Sequence, residues 1–216
     1  MNQKNVFWEA LLLAIFIFAS GLFLGYLLES SRTSKIISVY QQLEFNLLDI
    51  QVQSNLISLQ DINCNTSIES IISLADRAYN ESKILDRYEG SADLSESIQI
   101  QHKKYDLLRA VLWSNSLKIK EKCDNKFHRV VYFYEYNPTE IETQSKQNVF
   151  SKYLGELKER EGDNIILIPI SGNLEISSID SLRSMYNIDS LPMILVDESF
   201  KVDNFEDLKK IDSYLN

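Results

Sequence analysis

The sequence predicts an α+β protein held at a membrane by one N-terminal helix, and three observations support this prediction. Residues 10–28 form an apolar run, residues 34–121 contain three segments with helical spacing of apolar residues, and residues 128–215 alternate between strand-like and helix-like segments. The expected organisation is an N-terminal tail over 1–5, a transmembrane anchor over 6–28, a helical stalk (a helical hairpin, three-helix bundle or coiled coil) over 29–126, and an α/β domain over 127–216.

The apolar run from Ala10 to Leu28 (ALLLAIFIFASGLFLGYLL) contains no charged side chain. It extends about 28 Å, close to the ~30 Å hydrocarbon core of a bilayer. Signal-peptide apolar regions are shorter, about 7–15 residues, and end in a small-x-small site, whereas this run continues past Ser20. We therefore expect a retained single-pass signal-anchor, with a cleaved signal peptide as the alternative. Gly21 and Gly25 have the GxxxG spacing of closely packed membrane helices. One such match is common by chance, so it leaves a homo-oligomer open without predicting it.

Three stalk helices are expected over residues 34–60, 67–88 and 93–121. Their candidate core residues are Tyr40, Leu43, Leu47, Ile50 and Ile57 in the first, Ile68, Ile71, Ile72, Ala75, Tyr79 and Leu85–Tyr88 in the second, and Leu94, Ile98, Tyr105, Leu108, Leu112 and Leu117 in the third. If the helices run up, down and up, Cys64 and Cys123 both lie at the end far from the membrane. We expect a disulfide between these two cysteines, with unpaired buried thiols as the alternative.

A disulfide would place the soluble part outside the reducing cytosol, at the extracytoplasmic side of the cell membrane. Charge alone does not orient the chain, because Lys4 and the chain amine on one side of the anchor balance Arg32 and Lys35 on the other. The Asn-x-Ser/Thr sequences at Asn65 and Asn80 carry little weight, since a chain this rich in Asn and Ser contains such matches by chance.

The last part of the chain has the element order strand, helix, strand, helix, strand, strand, helix. The expected strands are residues 128–136, 164–170, 193–196 and 200–202, and the expected helices are 140–160, 178–186 and 204–215. Apolar residues expected on the helices include Val149, Phe150, Met185, Phe205, Leu208 and Ile211.

This order and the segment from Tyr186 to Val196 (YNIDSLPMILV) resemble the thioredoxin fold, over residues 127–216. The resemblance implies that Pro192 is a cis-proline beside the active-site turn, whereas the plainer interpretation is a trans proline that starts a strand. It also implies a groove next to Leu191, in which an extended peptide could add backbone hydrogen bonds.

The defining CxxC motif of thioredoxin-like enzymes is absent. Its place is taken by residues 136–140 (YNPTE), and neither Asn137 nor Thr139 can exchange thiols. We therefore expect no catalytic residues, and the sequence favours a non-catalytic protein over an enzyme. The candidate peptide-groove residues are Tyr136, Asn137, Pro138, Thr139, Leu191 and Pro192.

The sequence shows no other pattern of catalytic or metal-binding residues. His102 and His128 are expected to be solvated or edge residues, and the charged run over 156–161 a solvated face. The chain contains no GxGxxG, P-loop, HExxH or GxSxG sequence and too few cysteines for a metal site, so no metal or cofactor is expected. From His128 onward the net charge is about −7, which disfavours nucleic acid as a partner.

Three functions remain open. The first is a membrane-anchored, non-catalytic thioredoxin-like protein that binds or positions a protein partner. The second is a structural, oligomer-forming membrane protein, which an exposed apolar stripe within residues 36–57 would support. The third is a thiol oxidoreductase that uses Cys64 and Cys123.

Overall fold

The computed structural model describes residues 3–59, 64–89, 96–123 and 127–215. Its elements in chain order are α1 Gln3–Leu59, α2 Cys64–Glu89, α3 Glu96–Lys122, β1 His128–Tyr134, α4 Ile141–Glu161, a 3₁₀ turn Gly162–Asn164, β2 Ile165–Ser171, α5 Ser177–Met185, β3 Met193–Val196, β4 Phe200–Val202 and α6 Leu208–Leu215. The predicted α+β class is confirmed, since the described strands form one mixed sheet amid helices.

The predicted anchor and the first stalk helix form one helix, α1, of 57 residues. The segment that links them, Glu29–Lys35, contains neither Gly nor Pro, so the helix continues through it. Phe7–Ser31 is the one helical stretch within the described residues that is long and apolar enough to cross a membrane. The predicted core positions of this helix lie outside the described side chains: Tyr40, Leu43, Leu47, Ile50 and Ile57.

The sheet has the strand order β2-β1-β3-β4. β1 is parallel to β2, with Tyr134 opposite Ser171, and antiparallel to β3, with Phe133 opposite Met193. β4 pairs antiparallel to β3. Both faces of the central strands are buried, which explains why these strands are continuous apolar runs in the sequence.

Helices cover both faces of the sheet. α4 and α6 pack on one face. On the other face a single hydrophobic cluster joins α2, α3 and α5 to the strands, and its members include Ile71, Leu74, Ala75, Leu112, Trp113, Val131, Phe133, Ile168, Ile179 and Leu195. This cluster crosses the predicted boundary between residues 126 and 127. The division into two domains therefore stays a prediction.

α2 also covers the outer edge of β2. Asp76 in α2 forms an ion pair with Lys158 in α4, and Lys158 donates further hydrogen bonds to the carbonyls of Gly162 (2.7 Å) and Ile165 (3.0 Å). The prediction of a solvated face over 156–161 is therefore wrong at Lys158, which is 8% exposed. An edge strand covered in this way is protected from pairing with another chain.

α2 and α3 are antiparallel and are joined at two levels. The Tyr105 hydroxyl donates a 2.6 Å hydrogen bond to the carbonyl of Ala78. Cys64, which begins α2, and Cys123, which follows α3, form the predicted disulfide with their Cα atoms 5.5 Å apart. This bond uses both cysteines of the chain.

Some predicted core positions are exposed. Met185 is 68%, Phe205 52% and Val149 46% exposed, so their assignment to apolar helix faces is wrong. Met185 is the last residue of α5, and α6 begins at Leu208, which leaves Phe205 in the preceding turn. The predictions for Leu85–Tyr88, Leu94 and Ile98 lie outside the described side chains.

Candidate functional site

The chain leaves β1 and enters β3 at the same end of the sheet. Because Phe133 pairs with Met193, continuing the antiparallel register places Leu191 and Pro192 beside the end of β1. The Leu191–Pro192 peptide bond is cis, as predicted. The candidate groove residues comprise buried Tyr136 and Pro192, half-buried Pro138 and Leu191, and exposed Asn137 and Thr139.

The turn between β1 and α4 is built around Asn137. Its φ of 50° lies in the left-handed region, which Asn tolerates better than most residues. Pro138 then restricts the chain, and α4 begins at Ile141. Glu140 precedes the helix and makes no side-chain capping hydrogen bond.

Asn173, in the loop after β2, fixes the backbone of Tyr136. The Tyr136 N–H donates to Asn173 Oδ1 at 2.7 Å, and Asn173 Nδ2 donates to the Tyr136 carbonyl at 3.0 Å. Sequence reasoning missed Asn173, since a lone Asn in a loop carries no distinguishing signal. The two bonds hold the turn at a fixed position relative to β2.

Leu191 rests on Gly172. A Cβ at Gly172 would meet both Leu191 methyl carbons at 2.9 Å, so any larger residue there would make the Leu191 side chain shift. Arg183 of α5 donates to the carbonyls of Gly172 (2.7 Å) and Ile188 (3.2 Å). These contacts position the loop that leads into β3.

A buried polar network lies behind the site, between α3 and the ends of β1 and β2. Asp106 accepts hydrogen bonds from Ser171 and Arg109, the latter at 3.3 Å. His102 Nε2 lies 3.0 Å from the Tyr134 hydroxyl and 3.4 Å from Asp106 Oδ2.

Burial raises the pKa of the Asp106 carboxyl, and nearby His102 and Arg109 oppose this shift. His102 is 6% exposed and its ring lies 4.3 Å from that of Tyr136, so the prediction of a solvated or edge residue is wrong for His102. His128 lies at the start of β1 and is half-buried against Asp197, at 2.6 Å.

The rim of the site combines acidic and apolar side chains. Glu135 is half-buried, and the other acidic residues of the turn and of the loop after β2, namely Glu140, Glu142 and Glu175, are exposed. Ile141, at the start of α4, is 80% exposed. An exposed isoleucine flanked in sequence by the exposed Glu140 and Glu142 suits a ligand that is both apolar and positively charged.

The site has no thiol with which to react. The disulfide lies at the end of α3, whereas Tyr136 contacts His102 near the beginning of that helix. Within the described residues, no group of three or more His, Cys, Asp and Glu side chains is arranged to hold a metal ion. The site can therefore contact a ligand through the shape of its surface, its backbone hydrogen-bonding groups and its charged side chains.

No protein-family model matches the chain, and no curated protein is detectably similar to it in sequence.

Proposed function

We propose that this chain is a membrane-anchored, non-catalytic thioredoxin-like protein that binds an extended segment of a protein partner beside Leu191. The observation that carries the proposal is the strand order β2-β1-β3-β4, in which the turn after β1 lies against the loop before β3. YNPTE stands at that turn where an enzyme of this kind has its thiols. A partner segment would be held by main-chain hydrogen bonds and by side-chain contacts with Pro138, Ile141 and Leu191.

Peptide binding can be tested with a phage-displayed peptide library panned against the full-length protein in lipid nanodiscs. We expect selected peptides to lose about tenfold in affinity for Ile141→Asp, because this change places a charge in the apolar contact. Val149→Asp is the matched control, since Val149 is also exposed on α4 but lies two turns further on. Equal binding to both variants would show that the selected peptides bind elsewhere on the protein.

The absence of thiol chemistry has its own test. The full-length protein should neither reduce nor oxidise a fluorescent disulfide substrate above the buffer rate. Turnover that disappears in a Cys64→Ser, Cys123→Ser variant would instead support the oxidoreductase alternative.

We propose that α1 is a retained anchor and that the soluble part is extracytoplasmic. The unbroken helix from Gln3 to Leu59 supports retention, and the disulfide supports an oxidising compartment. A membrane-impermeant maleimide applied to intact cells should label the protein only after mild reduction. Labelling only after lysis, without reductant, would instead show that the soluble part lies in the cytosol with free thiols. A mature protein that begins after residue 28 would show a cleaved signal peptide.

A line of exposed apolar residues on α1 favours the oligomer as a second candidate. Phe45, Leu48, Val52 and Leu56 recur at helical spacing and are 68%, 54%, 56% and 51% exposed. Mass photometry in nanodiscs tests whether they pair copies of the chain. Leu48→Lys with Val52→Lys should shift an oligomer to monomer, whereas Gln51→Lys with Asn55→Lys, on neighbouring exposed positions, should not.

A further inference from the structure

The helices define the direction of the molecule relative to the membrane span. α1 rises from the span, and the short link to α2 makes α2 descend beside it, with Asn46 and Gln53 of α1 lining a cleft together with Ser70 and Arg77 of α2. α3 is antiparallel to α2 and packs along α1. The start of α3 is therefore near the membrane, and its end, at the disulfide, is far from it.

β1 runs in the opposite direction to α3. Near the end of α3, Lys120 lies 3.9 Å from Asp197, whose N–H donates to the carbonyl of Arg129 at the start of β1. Near the beginning of α3, His102 contacts Tyr134 at the end of β1. β1 therefore descends towards the membrane, and the candidate site opens at the membrane-proximal end of the sheet.

The height of the site follows from helix geometry. α1 rises about 42 Å from Ser31 to Leu59, and α3 rises about 31 Å from His102 to its end. Because the two helices reach the same level near the disulfide, the site lies about 10 Å above the end of the span, just outside the lipid headgroups.

Two ligands are available at this height, namely the lipid headgroups and a protein segment close to the membrane. The charge of the rim favours the protein segment. Glu135, Glu140, Glu142 and Glu175 repel anionic headgroups, which disfavours the lipid surface itself. They attract Lys and Arg, whereas exposed Ile141 needs an apolar contact. The guanidinium of Arg183 is bonded to backbone carbonyls of the loop. Lys103 and Lys104 follow His102 on α3 and are basic side chains at this level, and the four glutamates outnumber them.

We propose that the site takes the juxtamembrane segment of a second membrane-inserted protein, an extended stretch of alternating basic and apolar residues that continues directly from its transmembrane helix. This inference rests on the proposed peptide-binding function and adds the class of partner and its position. At about 3.3 Å per residue, the residues within reach are those from about the third to the eighth after the bilayer boundary.

The height of the site is tested without any partner. An environment-insensitive donor fluorophore is installed as an unnatural side chain at Thr139 of the full-length protein in nanodiscs with acceptor-labelled headgroups. Energy transfer should be stronger there than from the same fluorophore at Lys122, the exposed end of α3. Equal or weaker transfer from position 139 would overturn the membrane-facing geometry and leave the proposed function standing.

The partner class is tested with single-span model peptides co-reconstituted in phosphatidylcholine nanodiscs. Their tails alternate Leu with either Lys or Glu, and benzoylphenylalanine replaces Thr139 as the photo-crosslinker. We expect cross-links to the Lys tail, near its bilayer end, and little to the Glu tail. The double change Glu140→Lys, Glu142→Lys should reverse this preference, whereas the matched Glu156→Lys, Glu159→Lys pair, exposed further along α4, should not.

Each of the remaining outcomes contradicts a specific part of the proposal. Cross-links to lipid, or to the tail far from the bilayer, overturn the juxtamembrane proposal. Binding of the free Lys tail as strongly as the membrane-inserted peptide also contradicts it, because the tether should raise the local concentration of the tail by orders of magnitude. Failure of every tail, free or inserted, together with failure of the library-selected peptides, refutes the proposed function itself.

Discussion

Arg129 in β1 and Glu198 in the β3–β4 turn form a buried ion pair with two parallel hydrogen bonds, from Nε to Oε1 at 2.9 Å and from Nη2 to Oε2 at 2.6 Å. Trp113 of α3 also donates a hydrogen bond to the same carboxylate, at 2.8 Å. Glu198 and the preceding Asp197 both have positive φ, so the acidic side chains hold a turn that few residues favour. The pair fixes the β3–β4 hairpin to α3, towards the end of that helix that carries the disulfide.

We expect Glu198→Gln to lower the free energy of unfolding by about 3 kcal/mol, because Arg129 is 1% exposed and would lose its charged partner. Asp197 remains 3.1 Å from Arg129 and limits the loss. Urea denaturation of the full-length protein in detergent measures the change. Glu206→Gln, an exposed site, is the control, and equal stability of the two variants would contradict the importance of this pair.

Reduction of the Cys64–Cys123 disulfide should lower stability by about 4 kcal/mol in the chain-entropy estimate for a loop of this length. The bond closes a sequence separation of 59 residues. Denaturation with and without reductant measures the difference. The Cys64→Ser, Cys123→Ser variant should unfold like the reduced protein and no longer respond to reductant; a response that persists would point to an effect outside this bond.

Ile71→Ala should destabilise the helices and the sheet together. Ile71 in α2 is fully buried in the cluster that contains Val131 and Leu195, so truncation should cost about 3 kcal/mol. The unfolding midpoints measured by Trp113 fluorescence and by far-ultraviolet circular dichroism should fall by the same amount, as expected if the helices and the sheet unfold as a single cooperative unit. Ser73→Ala, exposed on α2, is the control. Two separate transitions would favour the two-domain division at residue 126.

Asp106→Asn should change how stability depends on pH. Burial raises the pKa of Asp106 in the folded state, so the native protein binds more protons than the unfolded chain once pH exceeds about 4. The wild-type protein should therefore lose stability relative to the variant as pH rises from about 4 towards the folded pKa. Denaturation midpoints across this range test the prediction, with Asp163→Asn as an exposed control. Parallel curves for the wild type and Asp106→Asn would contradict it.

The sequence predicted features that local chemistry determines. β3 and β4 have the predicted bounds because dense apolar runs end at a polar turn, and the disulfide follows from helix lengths and loop positions. The continuity of α1 was missed because Glu29–Lys35 is polar, although polarity does not end a helix. The partners of buried Lys158, His102 and Asp106 were missed because they lie on distant elements. Periodicity identifies an apolar face, but it does not say that α2 covers β2 or that α3 supplies a carboxylate to Ser171.

Because α1 is unbroken, the apolar segment Phe7–Ser31 and the stalk residues after it belong to one continuous helix. With Phe7–Ser31 in a bilayer, a tilt of about 20° would carry the disulfide end sideways by roughly 15 Å and lower one side of the sheet towards the lipid. Bilayer thickness changes such tilts, because a span longer than the hydrocarbon core leans over to fit. The same protein in a thinner or thicker membrane would thus present its acidic rim at a different angle, so lipid composition itself would govern access to the site.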